Sequence, residues 1–539
     1  VHTVVRGGLS FGVVTSRLPP MPAPRPLETL SPFELKNRLL AWAASGTGPV
    51  LDAGRGNPDW LALPAREAFF VLGAFACEAA RATDPRVGMA PEAEGLQARL
   101  RAWAGHRVER DGLELLFAGL DYAGRELGVT PDRLLHALIV GVLGIRYPDP
   151  PAMLPEIEQI CRAHLARVCG LRAEVAGSLR LFATEGASAG VCYVLRTLVR
   201  NGLLAPGERV AVVVPVFTPY LELLQPEAFG FELVALQADA AAGWQLPDAE
   251  VDKLLDPRVR LLIVVNPGNP TSVALRPETV DRITHLVATR RPDLLVLTDD
   301  VYAPLAPGYA SLLSRAPRNT ILVYSFSKYF GATGWRLGLL AMADDHAADA
   351  MLAARGPAQQ AGCARRYAAM SEAPDALPLL ARTVADSREI AFHHTAGLST
   401  PQQVQMALFA LGELLDAAGA YRDRVARLLA GRREALWRGL GEPLPRVEWG
   451  VDYYETLDVA ALAARWFGEG AAERLVAQRA PLDTVVELAR GHGVVVLPGR
   501  GFGAPPWTVR VSLANLPDAA CEAIGREIRR VVQHLCGAA

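Results

Sequence analysis

The sequence predicts an α/β fold. A mostly parallel sheet, covered by helices on both faces, is joined to a smaller α+β unit at the C-terminal end and enlarged by helical insertions. Three observations carry this expectation. Between about residues 155 and 325, short apolar runs alternate with helical spans and Gly/Pro loops, the pattern of parallel strands joined by crossover helices. From about residue 401 long helical periodicity mixes instead with short strands. Before 155, and again over 342–395, the chain is rich in Ala and Leu at helical spacing.

Taken in chain order, residues 1–26 are expected to be a disordered leader, with Met21 as the natural start. The segment is apolar but lacks the cationic region and cleavage site of a signal peptide. Residues 31–44 read as a helix with Ser31 as its N-cap and Pro32 in its first turn. A turn-rich loop follows over 52–60. Helical periodicity runs over 66–81 and 92–145. Helices are expected at 155–169 and 188–200, and strands at 179–183, 209–215, 231–236, 259–265, 293–298 and 320–325. Long helices at 402–418 and 419–440 then mix with strands near 445–458, 493–497 and 507–513. These elements divide the chain into an N-terminal arm and helical insertion (27–150), a large sheet domain (151–345), a second helical insertion (346–400) and a small domain (401–539).

Composition narrows the function classes. Of 539 residues 51% are hydrophobic and the formal net charge is -2, so a large core is available and no basic surface points to nucleic acid. The seven cysteines are scattered, with no Cys-x-x-Cys or Cys/His metal spacing. They read as reduced thiols of a cytoplasmic protein, and no metal site is expected. No apolar run is long enough to span a bilayer.

The chemistry concentrates at strand ends, where sites in such sheets form. The strand at 320–325 runs into Ser325, Ser327 and Lys328, with Arg336 eight positions on. A lysine ringed by aromatics can be desolvated enough to lose its proton, as a Schiff-base amine must. A nearby arginine can fork onto a phosphate. Together they describe a pyridoxal 5'-phosphate (PLP) site. After 179–183 come Gly186, Ala187 and Ser188, small residues at a helix start and a candidate phosphate cradle; Ser188 as a plain N-cap fits equally well. Phe217 could stack on a flat ring or fill the core. Asn269 sits in a rigid Asn-Pro-Gly-Asn-Pro loop and could donate to a phenolate oxygen. Asp299 could pair with a pyridinium nitrogen or cap a helix.

These residues, in this order, resemble the fold-type I PLP-dependent aminotransferase family over about 145–515, through the pattern S-x-S-K-x7-R-x-G at 325–338. The resemblance implies that 151–345 binds PLP. Lys328 would be the catalytic lysine joined to it. Arg336, Ser325, Ser188 and the backbone at Gly186 and Ala187 would hold the phosphate. Asp299 would face the ring nitrogen, Asn269 and Tyr302 the ring oxygen, and Phe217 the ring plane. Tyr147 would reach the phosphate of a neighbouring subunit, with Ser399 nearby, so a homo-oligomer, dimer or higher, is implied. Arg510 would fork onto the substrate α-carboxylate. Ala187 departs from the family pattern, where a second glycine is more usual.

Strings at 31–36, 53–60, 398–406 and 497–503 resemble, more narrowly, the aspartate 4-decarboxylases (L-aspartate β-decarboxylases). That resemblance implies β-decarboxylation of L-aspartate to L-alanine and CO2 through a ketimine, with aspartate transamination on the side. Amino and keto acids are then the partners. Aspartate aminotransferases carry an arginine four residues before the serine that matches Ser399, and Thr395 stands there instead. Lys36, Arg55 and Arg500 are the remaining cations for the β-carboxylate; a helix-face, loop or surface-turn charge is the other reading of each. The alternative function is an aminotransferase or lyase acting on another amino acid.

Overall fold

Seven apolar runs assemble into one sheet. The computed structural model describes residues 25–105, 111–146, 152–391 and 397–537. Met21, Tyr147, His393, His394 and Thr395 lie outside them. In space the strands run Leu179–Thr184, Gly338–Ala343, Thr320–Ser325, Leu295–Asp299, Val259–Val265, Arg209–Val214, Glu232–Gln237. All share one direction except Gly338–Ala343, which is antiparallel to both neighbours. The central strands Leu295–Asp299 and Thr320–Ser325 are buried along their whole length, which is why they read as continuous apolar runs and not as alternating ones.

Gly338–Ala343 was not anticipated, and helix was expected from 342. Its residues, Gly-Leu-Leu-Ala-Met-Ala, mostly favour helix by intrinsic preference. Every one of them is buried in the strand, and pairing with Leu179–Thr184 and Thr320–Ser325 overrides that preference. Helix resumes at Ala347–Ala353, Pro357–Tyr367 and Leu379–Ala391.

Helix Thr400–Leu415 packs on Leu63–Thr83, Asp111–Glu126, Pro131–Val142 and Pro155–Val168. Beyond it, helices Ala420–Leu440 and Asp518–Leu535 accompany a second, antiparallel sheet of Leu497–Pro498, Thr508–Ser512 and Tyr454–Asp458. Ala420–Leu440 and Asp518–Leu535 meet through glycines. A Cβ on Gly439 would lie 2.0 Å from the Glu522 carbonyl oxygen, and one on Gly525 2.3 Å from that of Leu436. At the N-terminal end, helix Pro32–Ala44 starts on a reciprocal cap. Ser31 Oγ accepts from the Glu34 amide at 3.3 Å and Glu34 Oε2 from the Ser31 amide at 3.0 Å. Leu51 and Asp52 then pair in parallel with Val494 and Val495. That pairing lays the loop beyond Asp52 across the carboxyl ends of the large sheet.

Candidate active site

A cavity of about 560 Å³ opens at those carboxyl ends. Its lining brings together Lys36, Arg55, Ala187, Ser188, Phe217, Asn269, Asp299, Tyr302, Ser325, Lys328, Arg336 and Arg510. These come from the ends of five sheet strands or the segments just after them, from helix Pro32–Ala44, from the loop after Asp52 and from the small antiparallel sheet.

Lys328 sits in the turn after a fully buried strand. The backbone of that turn is held from outside. Trp60 Nε1 and the Tyr421 hydroxyl both donate to the Tyr329 carbonyl, at 2.9 and 3.0 Å. Arg66 donates to the carbonyls of Phe330 and Gly331, at 3.2 and 2.7 Å. The lysine Nζ donates to the Gly56 carbonyl at 2.9 Å. Burial pushes its pKa below the ordinary lysine value, with Arg510 and Arg336 adding to the effect and Tyr454 and Asp299 opposing it.

Asp299 ends its strand with both oxygens engaged. The Tyr220 hydroxyl donates to Oδ2 at 2.7 Å and the Val301 amide to Oδ1 at 3.2 Å. Burial raises its pKa to about 6, against the pull of those two hydrogen bonds. The neighbouring Asp300 is raised further, to about 7, again by burial.

Arg510 lies on the opposite wall and is only 3% exposed. Its guanidinium donates to Asn269 Oδ1 at 3.3 Å and to the Gly54 carbonyl at 2.7 Å. The Tyr454 and Phe502 rings sit 4.5 and 4.9 Å from its central carbon. The Tyr302 and Tyr454 hydroxyls share a hydrogen bond at 3.0 Å.

The other end of the cavity could hold an anion. Gly186, at φ 93° and ψ 162°, caps helix Ala187–Arg200, and no side chain caps that helix start. A Cβ on Gly186 would lie 2.3 Å from Arg336 Nη2, so only glycine lets the guanidinium approach. The buried Ser327 Oγ has no protein partner, and neither does Arg510 Nε. An unpartnered buried hydroxyl, an uncapped helix start and an arginine at one end, with a desolvated lysine and a carboxylate further in, fit a flat cofactor carrying a phosphate. Among the described residues no cluster of three His, Cys, Asp or Glu is placed to hold a metal ion.

Of the expected residues that the structure describes, Gly186, Ser399 and Arg500 are not among the lining, though Gly186 adjoins it as the cap of the helix that Ala187 starts. Ser399 is the exposed N-cap of Thr400–Leu415, and its hydroxyl donates to Gln402 Oε1 at 2.6 Å. Arg500 is exposed and donates to the Glu28 carbonyl. Tyr147 lies outside the described residues. Ser188 is the second residue of its helix rather than its cap, since the cap is Gly186. Conversely, Tyr220, Tyr454 and the carbonyls of Gly54 and Gly56 were not singled out from sequence, and Ser327 was noted there only as part of the pattern around Lys328, with no role given. Tyr220 and Ser327 sit three and one residues from Phe217 and Lys328, which were read as site residues. The carbonyls had no signal to find.

A family model described as Aminotransferase class I and II matches residues 183–528. The chain belongs to that family, whose members are PLP-dependent in general. It is 42% identical over 516 residues, 95% of its own length and 97% of the relative's, to a bifunctional aspartate aminotransferase and L-aspartate beta-decarboxylase from Pseudomonas sp. A valine–pyruvate aminotransferase of Mycobacterium tuberculosis is 32% identical over 190 residues, 35% of this chain and 46% of that protein. Among solved structures, aspartate aminotransferase from Thermus thermophilus with maleate superposes with a TM-score of 0.57 at 18% identity, covering 93% of this chain and 96% of that one. N-succinyldiaminopimelate aminotransferase from Mycobacterium tuberculosis superposes with a TM-score of 0.57 at 18% identity, covering 93% and 97%. The fold is therefore that of the fold-type I PLP-dependent aminotransferases.

Proposed function

We propose that this chain catalyses PLP-dependent β-decarboxylation of L-aspartate to L-alanine and CO2, with aspartate transamination as a side activity. The observation that carries the reading is the reach of one match. The general aminotransferase model covers residues 183–528, whereas the identity with the bifunctional relative covers 95% of the chain. It therefore extends beyond the shared aminotransferase region, toward the N-terminal segments that put Lys36 and Arg55 on the cavity wall.

When bound, PLP supplies an aldehyde that joins to amines and a protonated ring that draws electrons from the substrate α-carbon. The residues supply the rest. Arg336, Ser325, Ser188 and the backbone at Gly186 and Ala187 would hold the phosphate, with Ser327 as a further donor. Asn269 and Tyr302 would hold the ring oxygen and Phe217 the ring face. Asp299, oriented by Tyr220, would keep the proton on the ring nitrogen. Lys328 would hold the cofactor at Nζ between turnovers. With substrate in the site, its free amine would take the proton from Cα, and its lowered pKa would keep more of it neutral for that task.

Arg510 would fork onto the α-carboxylate by exchanging the Gly54 carbonyl for it. Lys36 and Arg55 would face the side-chain carboxylate, and Arg500 would stand further out. A carboxylate about to leave as neutral CO2 gains nothing from a grip tighter in the ground state than in the transition state. Arg55 already shares its charge with Asp52, 2.9 Å away, which suits a loose hold.

The assembly is read as a homo-oligomer, a dimer or larger, in which Ser399 and Tyr147 serve the partner's site. Ser399 is exposed and stands away from the lining of its own cavity. The seven cysteines are all unpaired, which supports a reducing, cytoplasmic setting. No described helix is long and apolar enough to cross a membrane.

The test is product analysis of the cofactor-loaded protein with L-aspartate. Alanine and CO2 in equal amounts without added 2-oxoglutarate are expected. Glutamate formation with 2-oxoglutarate and no CO2 would assign a plain aminotransferase.

A further inference from the structure

We infer that Asp52 sets how firmly the substrate's side-chain carboxylate is held, and through that the balance between decarboxylation and transamination. The inference rests on the assignment of Arg510 and Arg55 to the two substrate carboxylates made above.

Asp52 is anchored on several sides. Its backbone pairs with Val495 in the short parallel ladder, and its carbonyl accepts from Asn515 Nδ2 at 2.8 Å. Its side chain is 16% exposed. Both carboxylate oxygens are engaged. Oδ1 accepts from the Gly54 amide at 3.1 Å, and Oδ2 lies 2.9 Å from Arg55 Nε. The first contact shapes the turn whose Gly54 carbonyl sits on Arg510. The second offsets the charge of Arg55, whose side chain is 52% exposed and lines the cavity. One carboxylate thus reaches the surroundings of both arginines.

An arginine with no partner pairs strongly with a carboxylate and holds it in its charged form. Loss of CO2 removes that charge, so a strong pair stabilises the ground state against the transition state. Sharing Arg55 with Asp52 weakens the pair. The lysine stem of Lys36 lies beside the same turn, with its Cγ 3.4 Å from where a Gly54 Cβ would be. The turn that Asp52 shapes therefore also borders the second cation.

Asp52→Asn keeps an oxygen for the Gly54 amide and removes the charge. Asp52→Ser does the same with a shorter side chain. Calorimetry with succinate, a dicarboxylate, and butyrate, which lacks the distal carboxylate, reads the hold directly on the purified full chain. Both variants are expected to bind succinate about threefold to fivefold more tightly, the range of a half-exposed ion pair, with butyrate unchanged. The effect is expected to vanish when Arg55→Ala is added. On aspartate, the ratio of CO2 released to glutamate formed is expected to fall by a similar factor. Succinate affinity unchanged or weakened in both variants, with a thermal midpoint close to the parent's, would overturn the role of Asp52. If the parent chain releases no CO2, the decarboxylase reading falls, and the succinate titration still decides whether Asp52 tempers Arg55.

Discussion

The Tyr220 hydroxyl donates to Asp299 Oδ2 at 2.7 Å, on a carboxylate whose pKa burial has raised to about 6. The bond favours the charged form and so works against burial. Tyr220→Phe removes it, and the Asp299 pKa rises. Under the proposed role, Asp299 must be charged to hold the ring-nitrogen proton. The acidic limb of the kcat/KM profile should therefore move to higher pH, by about one pH unit. Activity should recover in part at pH 8 and above. A profile that drops evenly at all pH values would show that Tyr220 acts elsewhere.

Gly186 and Arg336 depend on each other's geometry. Gly186 has φ 93° and ψ 162°, a region open in practice only to glycine, where strain costs about 1–3 kcal/mol. A Cβ there would also lie 2.3 Å from Arg336 Nη2. Gly186→Ala should weaken PLP binding about tenfold or more, read by fluorescence titration of the cofactor-free protein. Arg336→Ala should weaken it too, and the double variant should cost less than the two effects added.

Asp300 predicts a pH dependence of stability. Its folded pKa, about 7, lies above the ordinary 3.8 because the carboxyl is buried. Thr298 Oγ1 donates to Oδ1 at 2.5 Å, and the Ser311, Thr298 and Tyr309 hydroxyls favour the charged form without overcoming burial. The folded chain therefore holds this proton more tightly than the unfolded chain. The resulting stability is complete below about pH 4 and is lost as pH rises through 7. Asp300→Asn should flatten the decline between pH 5 and 8 and make the cofactor-free protein more stable at pH 8, by about 2 kcal/mol. Thermal midpoints at the two pH values test it. An equal change at both would assign the effect to packing.

Much of the cavity was legible because its parts hang on strand ends. An apolar run followed by Ser, Lys, Asp or Asn places that residue at a carboxyl edge, and the order of the runs places the edges side by side. Lys328, Asp299, Asn269, Ser325 and Ser188 were all found in this way, and all line one cavity. What was not legible depends on the third dimension. Gly338–Ala343 reads as helix until two strands pair with it. Tyr220 matters through a contact with a residue 79 positions away. Gly54 and Gly56 act through backbone carbonyls, which carry no residue signature. Arg500 lies in a string that matches its family, yet its guanidinium turns to the Glu28 carbonyl.

Every proposed role converges on the amine at position 328. The most direct measurement is borohydride reduction of the PLP-loaded protein, followed by digestion and peptide mapping. One stable label on the peptide containing Lys328, absent in Lys328→Ala, is the predicted result. A label on another lysine, or none at all, would contradict it.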